Sequence, residues 1–537
     1  MQPLPESGEA AAGDDMLAEC LRLLAKLQAT AAASRAFRRH WPSISASLSS
    51  LSASLSHPAF PSSALLLAPL ASAIQVLLSV DDGPPLGHLH TVSLLSSSAA
   101  SLSQLAADAR LLVAPGPGGG DAEGADGLLP RLRVGSAASR AAALESLAES
   151  VGSLPPSSAA AALSAVATML DSGDILRDSR DKAISVLAAF ASSDATCRFL
   201  EQESGTVVRH LCRALESGGA GAEHACVALH PLTTASRNAA AAVAARGGVA
   251  ALLGACAAGT PAAQAAAAGV LRNLASFPDL LPSFREEGAL PLLLELISLG
   301  TPRAQELALG CLQNLTSGDG DECHTLKVEA FQGGALGCVK DFLESSRGDE
   351  PGLAPAFGFL RNMASFRCIA EKAVSDSFVG HVVAALGSNK AATRTEAAMA
   401  LAKLCNIGSS KTQKEVGDAI PRLIWMLEAK AVTERDSAAR ALAALVAARG
   451  YRKLFKKLEK GIVNAVQLLD PSSRGVDPRF PVSVLLAVSQ SRRCRKQMVA
   501  AGACGFLQSL LVAEVDGAKK LADCLSKGKM LGVFPWS

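Results

Sequence analysis

Aromatic residues are scarce in this 537-residue chain: one Tyr, three Trp and sixteen Phe. The hydrophobic share is 49%, dominated by Ala and Leu, which argues against a β-rich protein and for closely packed helices. An excess of either charge is also missing. Lys and Arg total 51 against 49 acidic residues, a net +2, so no global field points to nucleic acid or to acidic partners. The thirteen cysteines stand singly and no CxxC occurs, which argues against a zinc site at standard spacing. Several of them (Cys311, Cys338, Cys405) fall at apolar positions and read as reduced, buried thiols. Cys323–His324, the one adjacent Cys/His pair, lacks two further ligands and reads as loop.

Long apolar runs are absent too. The longest, Ala64 to Val80, is broken by Pro69, Ser72 and Gln75 and is short for a membrane span. Glu6, Glu9, Asp14 and Asp15 give the first residues the wrong sign for a secretory or transit peptide. Gln2 excludes N-myristoylation, and the terminal VFPWS carries no prenylation box. Catalytic motifs are missing: the nine His are dispersed, and His88 and His90 read as surface residues in a loop before a helix. These absences predict a non-enzymatic protein of the cytoplasm or nucleus, with no cofactor and no metal.

What is present is a repeat. A leucine-rich pattern returns about every 42 residues, at reference positions 146, 189, 231, 273, 314, 362, 403, 444 and 487. Its sharpest copies are GVLRNLA (Gly269 to Ala275), GCLQNLT (Gly310 to Thr316) and GFLRNMA (Gly358 to Ala364). Such a period is the signature of a helical solenoid, a stack whose units touch only their neighbours and present a binding surface without built-in chemistry. The clearest unit starts at Gly288: GALPLLLELI predicts a helix with Leu290, Leu293, Leu294 and Ile297 inward. Gly300–Thr301–Pro302 then turns the chain, with Pro at a helix start, and RAQELALGCLQNLT predicts the next helix.

The repeats occupy about 127–526. Ahead of them, 1–13 read as a disordered start and 14–113 as a separate antiparallel bundle of four helices. Asp14 or Asp15 is placed to cap the first helix, whose stripe is Leu17, Leu21, Leu24 and Leu27. The second carries Ile44, Leu48, Leu51 and Leu55; the third Leu66, Leu70, Ile74 and Leu77; the fourth Val92, Leu95, Leu102, Leu105 and Leu112. Pro69 predicts either a kink in the third helix or a start near Ala68. Residues 114–126 form a Gly/Pro linker, and 527–537 a tail.

A Gly-led entry, an LL-rich helix and a longer third helix ending ALxNLA resemble the armadillo repeat, over roughly 127–526. The fold this implies is all-α: a right-handed armadillo-type α-solenoid of about ten repeats behind the N-terminal bundle, in rough terms a rod ~100 Å long. The chain further resembles plant armadillo-repeat proteins with a helical N-terminal domain. The CPI-containing motif of the U-box found in some of them is missing. In armadillo proteins third helices line a concave groove where an Asn ladder grips the backbone of an extended peptide, and the resemblance gives that role to Asn273, Asn314 and Asn362. An amide offers a donor and an acceptor, matching a peptide unit without reading its sequence. The competing reading makes each Asn a crosslink of its own repeat.

Departures from the family matter as much. Importin-α-type carriers hold Trp four residues before the Asn; here those slots are Gly269, Gly310 and Gly358. Nuclear-signal carriage by that mechanism is disfavoured, and the glycines call for close packing between third helices or a groove floor open to a ligand backbone. Further on, the ladder becomes Met399/Lys403 and Arg440/Ala444, a basic stretch suited to an acidic or phosphorylated segment. RGYRKLFKKLEK (Arg449 to Lys460) is the most basic segment. Tyr451, Leu454, Phe455 and Leu458 share one of its faces, and Arg452, Lys453, Lys456 and Lys457 form a basic surface. The expected function is a monomeric scaffold holding an extended protein segment in the groove, without nucleic acid. The alternatives are a peripheral membrane tether using 449–460 and a substrate adaptor beside a ubiquitin ligase.

Overall fold

The computed structural model describes residues 7–33, 41–58, 60, 64–82, 88–113, 125–134, 137–171, 177–202, 204–346, 351–405, 412–471 and 475–526. Every regular element among them is helical, and no strand occurs. The expected linker (save 125–126) and the 527–537 tail lie outside the described residues. The chain divides into two compact units, Met1–Arg246 and Gly247–Ser537.

The first unit begins with α1 (Ser7–Ala33), α2 (Trp41–Leu55), α3 (Ala64–Asp82) and α4 (His88–Val113). Helix α1 packs on α2 and α3, and α4 packs on the same two, closing a four-helix core. Leu24, Leu27, Ile44, Leu48, Leu51, Leu66, Leu70, Ile74, Leu77 and Leu102 are at most 2% exposed, so the stripes read from the sequence face inward. Each buried leucine contributes ~1.5–3 kcal/mol. Leu17 and Leu21 are only partly covered.

Three local readings change. Helix α1 starts at Ser7, so Asp14 and Asp15 lie inside it; the Ala-rich stretch before them propagates the helix. Pro69 sits within α3, which begins before Ala68 and runs through it. There, near the helix start, a missing N–H removes one backbone bond. His88–His90 form the first turn of α4 rather than a loop.

The unit continues with α5 (Ala125–Val134), α6 (Ala137–Ser150), α7 (Pro156–Asp171), α8 (Arg177–Ala191), α9 (Asp194–Gln202), α10 (Ser204–Ser217), α11 (Ala220–Ala235) and α12 (Arg237–Ala244). Helix α5 packs on α3 and α4 from the bundle and on α6 and α7 beyond it.

The second unit opens with α13 (Gly248–Ala258) and α14 (Pro261–Leu274). Helical triplets follow: α15 (Leu281–Glu286), α16 (Ala289–Leu299) and α17 (Pro302–Leu315); α18 (Asp321–Gln332), α19 (Ala335–Ser345) and α20 (Leu353–Met363); α21 (Arg367–Ser375), α22 (Phe378–Ala385) and α23 (Ala391–Leu404). One repeat has its first two helices merged into α24 (Thr412–Met426), followed by α25 (Val432–Ala447). The last two triplets are α26 (Arg449–Phe455), α27 (Glu459–Gln467) and α28 (Arg479–Val488), then α29 (Arg492–Ala500), α30 (Ala503–Val512) and α31 (Ala518–Ser526). Third helices pack on third helices in series, α14 on α17, α17 on α20, α20 on α23, α23 on α25 and α25 on α28. This nearest-neighbour pattern is that of an all-α helical-repeat stack.

Turn chemistry explains the period. Gly288 (φ 64°), Gly334 (φ 81°) and Gly502 (φ 88°) hold the left-handed conformation between first and second helices. Only glycine adopts it without steric cost. Thr301 caps α17 by accepting from Ala304 N at 3.3 Å, with Pro302 behind it, and Thr260 does the same for α14. Cys323–His324, read as loop, lies in the first turn of α18, where Asp321 and Glu322 favour a helix start. Leu290 is only partly buried, while Leu293 and Ile297 are fully inside.

Ser377 occupies the glycine slot of its repeat at φ 69°. A left-handed non-glycine residue costs ~1–2 kcal/mol, partly offset by the greater chain entropy glycine loses. Ser377→Gly is therefore expected to raise stability by ~0.5–1 kcal/mol and Gly334→Ala to lower it by ~1 kcal/mol. Urea unfolding followed by circular dichroism checks both signs.

Candidate functional site

The side chains proposed for the groove sit on the face formed by the stacked third helices. A helix leaves its last carbonyl groups without intrahelical donors, and here the next repeat supplies them. Asn314 Nδ2 donates to the Arg272 carbonyl near the end of α14 at 2.9 Å. One repeat later, Asn362 Nδ2 donates to the Gln313 carbonyl at 2.8 Å and lies 3.3 Å from Thr316 Oγ1. The amide oxygen is engaged as well: Asn362 Oδ1 accepts from Arg361 Nε at 3.2 Å. Arg272 reaches Asn273 Oδ1 more weakly, at 3.5 Å.

The glycine slots belong to the same interlock. A Cβ at Gly310 would lie 2.7 Å from Arg272 Cδ, and one at Gly358 would overlap the Gln313 side chain. The long side chains preceding Asn273 and Asn314 therefore cross the glycine of the next third helix. These glycines are filled from within the protein and do not form an open groove floor.

Beside this seam lies a depression of about 590 Å³ whose lining includes Arg272, Glu306, Gln313, Asn314, Thr395 and Glu396. Arg361 Nη1 pairs with Glu396 at 2.7 Å, each side chain 20% exposed, and Gln313 Nε2 donates to the same carboxylate at 3.4 Å. Burial pushes the Glu396 carboxyl above the usual carboxylate range, against the opposing pull of Arg361. Farther along, Arg394 and Glu434 form a bidentate pair at 2.5 and 3.0 Å with Glu434 only 2% exposed. Arg394 also stands 5.2 Å from the Trp425 ring centroid.

Lys403 and Arg440 lie on successive third helices, α23 and α25. Lys403 is exposed, and its charge helps depress the buried Lys327 ammonium, though burial of Lys327 is the larger cause. Lys327 Nζ donates to the Gly318 carbonyl at 2.8 Å. Arg440 is already engaged, 3.4 Å from Asp436 and stacked 4.5 Å from the Phe480 ring centroid.

The basic segment splits in two. Arg452 donates to the Val446 and Ala447 carbonyls at 3.0 and 2.6 Å, closing the end of α25. Arg495 does the same for α28, through Ser489 and Gln490 at 2.7 and 3.2 Å. Arg452 is thus a cap, while Lys453 and Lys457 are exposed and Lys456 partly so. Tyr451 and Phe455 are buried as read, but Leu454 is 38% exposed: a seven-residue helix turns fewer side chains inward than the pattern suggested. Among the described residues, no group of three or more His, Cys, Asp or Glu is placed to share a metal ion.

Sequence reading missed Arg272, Gln313, Arg361 and Glu396. A signal was available, since a long polar residue precedes the Asn in each sharp copy (LRNL, LQNL, LRNM) at the repeat spacing.

No family model matches the chain. No curated protein matches it either. Among solved structures, it is similar to the crystal structure of an engineered protein, with TM-score 0.59 and 23% identity, covering 75% of this chain and 97% of that one. That likeness bears on the fold alone. A second engineered protein aligns at 24% identity over 44% of this chain and 99% of its own, with a TM-score of 0.38 too low to support an argument.

The geometry makes the ladder amides part of the stack. Asn362→Ala removes the amide donor to the Gln313 carbonyl, leaving it the longer 3.3 Å bond from Thr316 Oγ1, and is expected to cost ~1 kcal/mol in the absence of any partner. Glu434→Gln breaks a buried pair and is expected to cost ~3–5 kcal/mol. Chemical denaturation of the isolated protein measures both, and wild-type stability in either variant contradicts these roles.

Proposed function

We propose that this chain is a non-enzymatic protein-interaction scaffold of armadillo type. It holds an extended segment of a partner along the third-helix face of the second unit. The observation that carries this reading is the depression beside the Asn seam, where Arg272, Glu306, Gln313 and Glu396 present charge and hydrogen-bonding groups at the surface of a packed layer. Protein segments are held along such layers by side chains whose positions the stack fixes. Because the ladder amides already serve the neighbouring helix, the charged side chains beside them recognise the partner. Arg272 and Lys403 are the cations of this face that form no ion pair among the described residues, so the segment carries acidic groups opposite them. A cytoplasmic or nuclear setting accords with thirteen free cysteines, and a plant source with the sequence resemblance.

A second reading rests on one observation: exposed Leu454 lies between exposed Lys453 and Lys457, a combination suited to an anionic membrane surface. Liposome sedimentation separates it from the first, since only a tether depends on anionic lipid.

The scaffold reading is tested by affinity purification with mass spectrometry. Wild type is compared with Arg272→Glu/Lys403→Glu and with Arg367→Glu, an exposed first-helix control. Partners are expected to be lost from the double variant alone, with helical content unchanged. The same partners on all three proteins would contradict the proposal.

A further inference from the structure

A second opening lies within the first unit. It is a cavity of about 930 Å³ lined by α3, α4, α5, α6 and α7. That volume lies in the range of small-molecule sites, ~300–1,000 Å³. Its apolar wall includes Val76, Leu105, Ala165 and Met169, with Val76 39% exposed.

One charged group on this wall is unaccounted for. Arg140 of α6 lines the cavity and is partly buried, yet it makes no hydrogen bond and no ion pair among the described residues. Burial alone pushes its guanidinium down, with no neighbouring charge to offset it. A bound anion relieves the partial desolvation of an arginine that faces a cavity without a counter-charge. Two partly buried arginines of the second unit show the alternative: Arg361 is answered by Glu396, and Arg394 by Glu434.

The rest of the polar wall narrows the ligand. Asp108, 2% exposed, accepts from Gln104 Nε2 at 3.1 Å and feels the charge of Arg133, also on the wall. Arg133 is exposed, so Arg140 is the partly buried positive charge on this wall. Ser97, Ser101 and Thr168 point their hydroxyl protons at their own helices, at 3.1, 3.1 and 2.8 Å. They present acceptor oxygens to the cavity and no donors for an anion. The fork of Arg140 is the donor set suited to a planar carboxylate.

We propose that this cavity binds a small amphipathic carboxylic acid, its carboxylate on Arg140 and its apolar body along Val76, Leu105, Ala165 and Met169. The proposal is independent of the scaffold reading, and either can fail without the other.

Isothermal titration of the full chain tests it with two probes, decanoate and its neutral counterpart 1-decanol, each below its aggregation range. Saturable one-to-one binding of decanoate is expected, with decanol weaker by at least about tenfold, the scale of a charge-assisted hydrogen-bond pair. Arg140→Gln is expected to lose that preference while retaining helical content. Ser101→Trp, which leaves Arg140 in place and fills the opening, is expected to abolish binding of both probes. Absence of saturable decanoate binding overturns the proposal, including the case in which a segment of this chain covers the cavity. Equal decanoate affinity in Arg140→Gln overturns it as well.

Discussion

The carbonyl groups at the ends of helices impose the constraint from which much of this structure follows. Short helices in series produce many such ends, each with backbone acceptors that cannot be left dry. The answer recurs throughout: a side chain from the next helix or the next repeat reaches back. Asn314 and Asn362 do this for α14 and α17, Arg422 for α22 at 2.6 Å from the Val383 carbonyl, and Arg452 and Arg495 for α25 and α28. Where the donor is cationic, it also meets the negative end of a helix dipole. The contacts that finish one repeat are thus supplied by its successor, which makes the repeats mutually dependent.

This economy changes how polar residues in a repeat protein are to be read. Several side chains with a functional look in sequence are structural in space. Asn362 has both ends of its amide engaged, and Arg452 is folded back onto α25. Under the proposed scaffold function, the residues left to meet a partner are their neighbours, Arg272 and Lys403, together with the Glu396 carboxylate shared by Arg361 and Gln313. Recognition by fixed charges in a packed layer differs from recognition by a free amide ladder. It favours partners with a charge pattern over partners that offer only backbone.

The repeat register, the bundle stripes and the Thr–Pro helix starts were legible in the sequence because each is local: a period of apolar residues, or a cap with a fixed offset. Leu48, Leu70 and Thr301 stand where the pattern placed them. The glycine slots were half legible. Their recurrence signalled a close approach, but only three dimensions show that Arg272 and Gln313 from the preceding repeat occupy the space. The Asp14 or Asp15 cap and the His88–His90 loop were misjudged because helix propensity on either side carries a helix past a residue that favours its end. The Arg394–Glu434 pair was invisible, since nothing in the spacing of single residues marks a contact forty positions apart.

The central claim is that consecutive third helices are held by side chains that each supplies to the last. Hydrogen–deuterium exchange of the partner-free chain, wild type against Asn314→Ala/Asn362→Ala, tests it most directly. The account predicts faster exchange in α17 and α20 that spreads into α14 and α23, the helices they pack against, with the bundle α1–α4 unchanged. Wild-type protection throughout α14, α17, α20 and α23 would contradict it and return those amides to the role of free ligands for a partner.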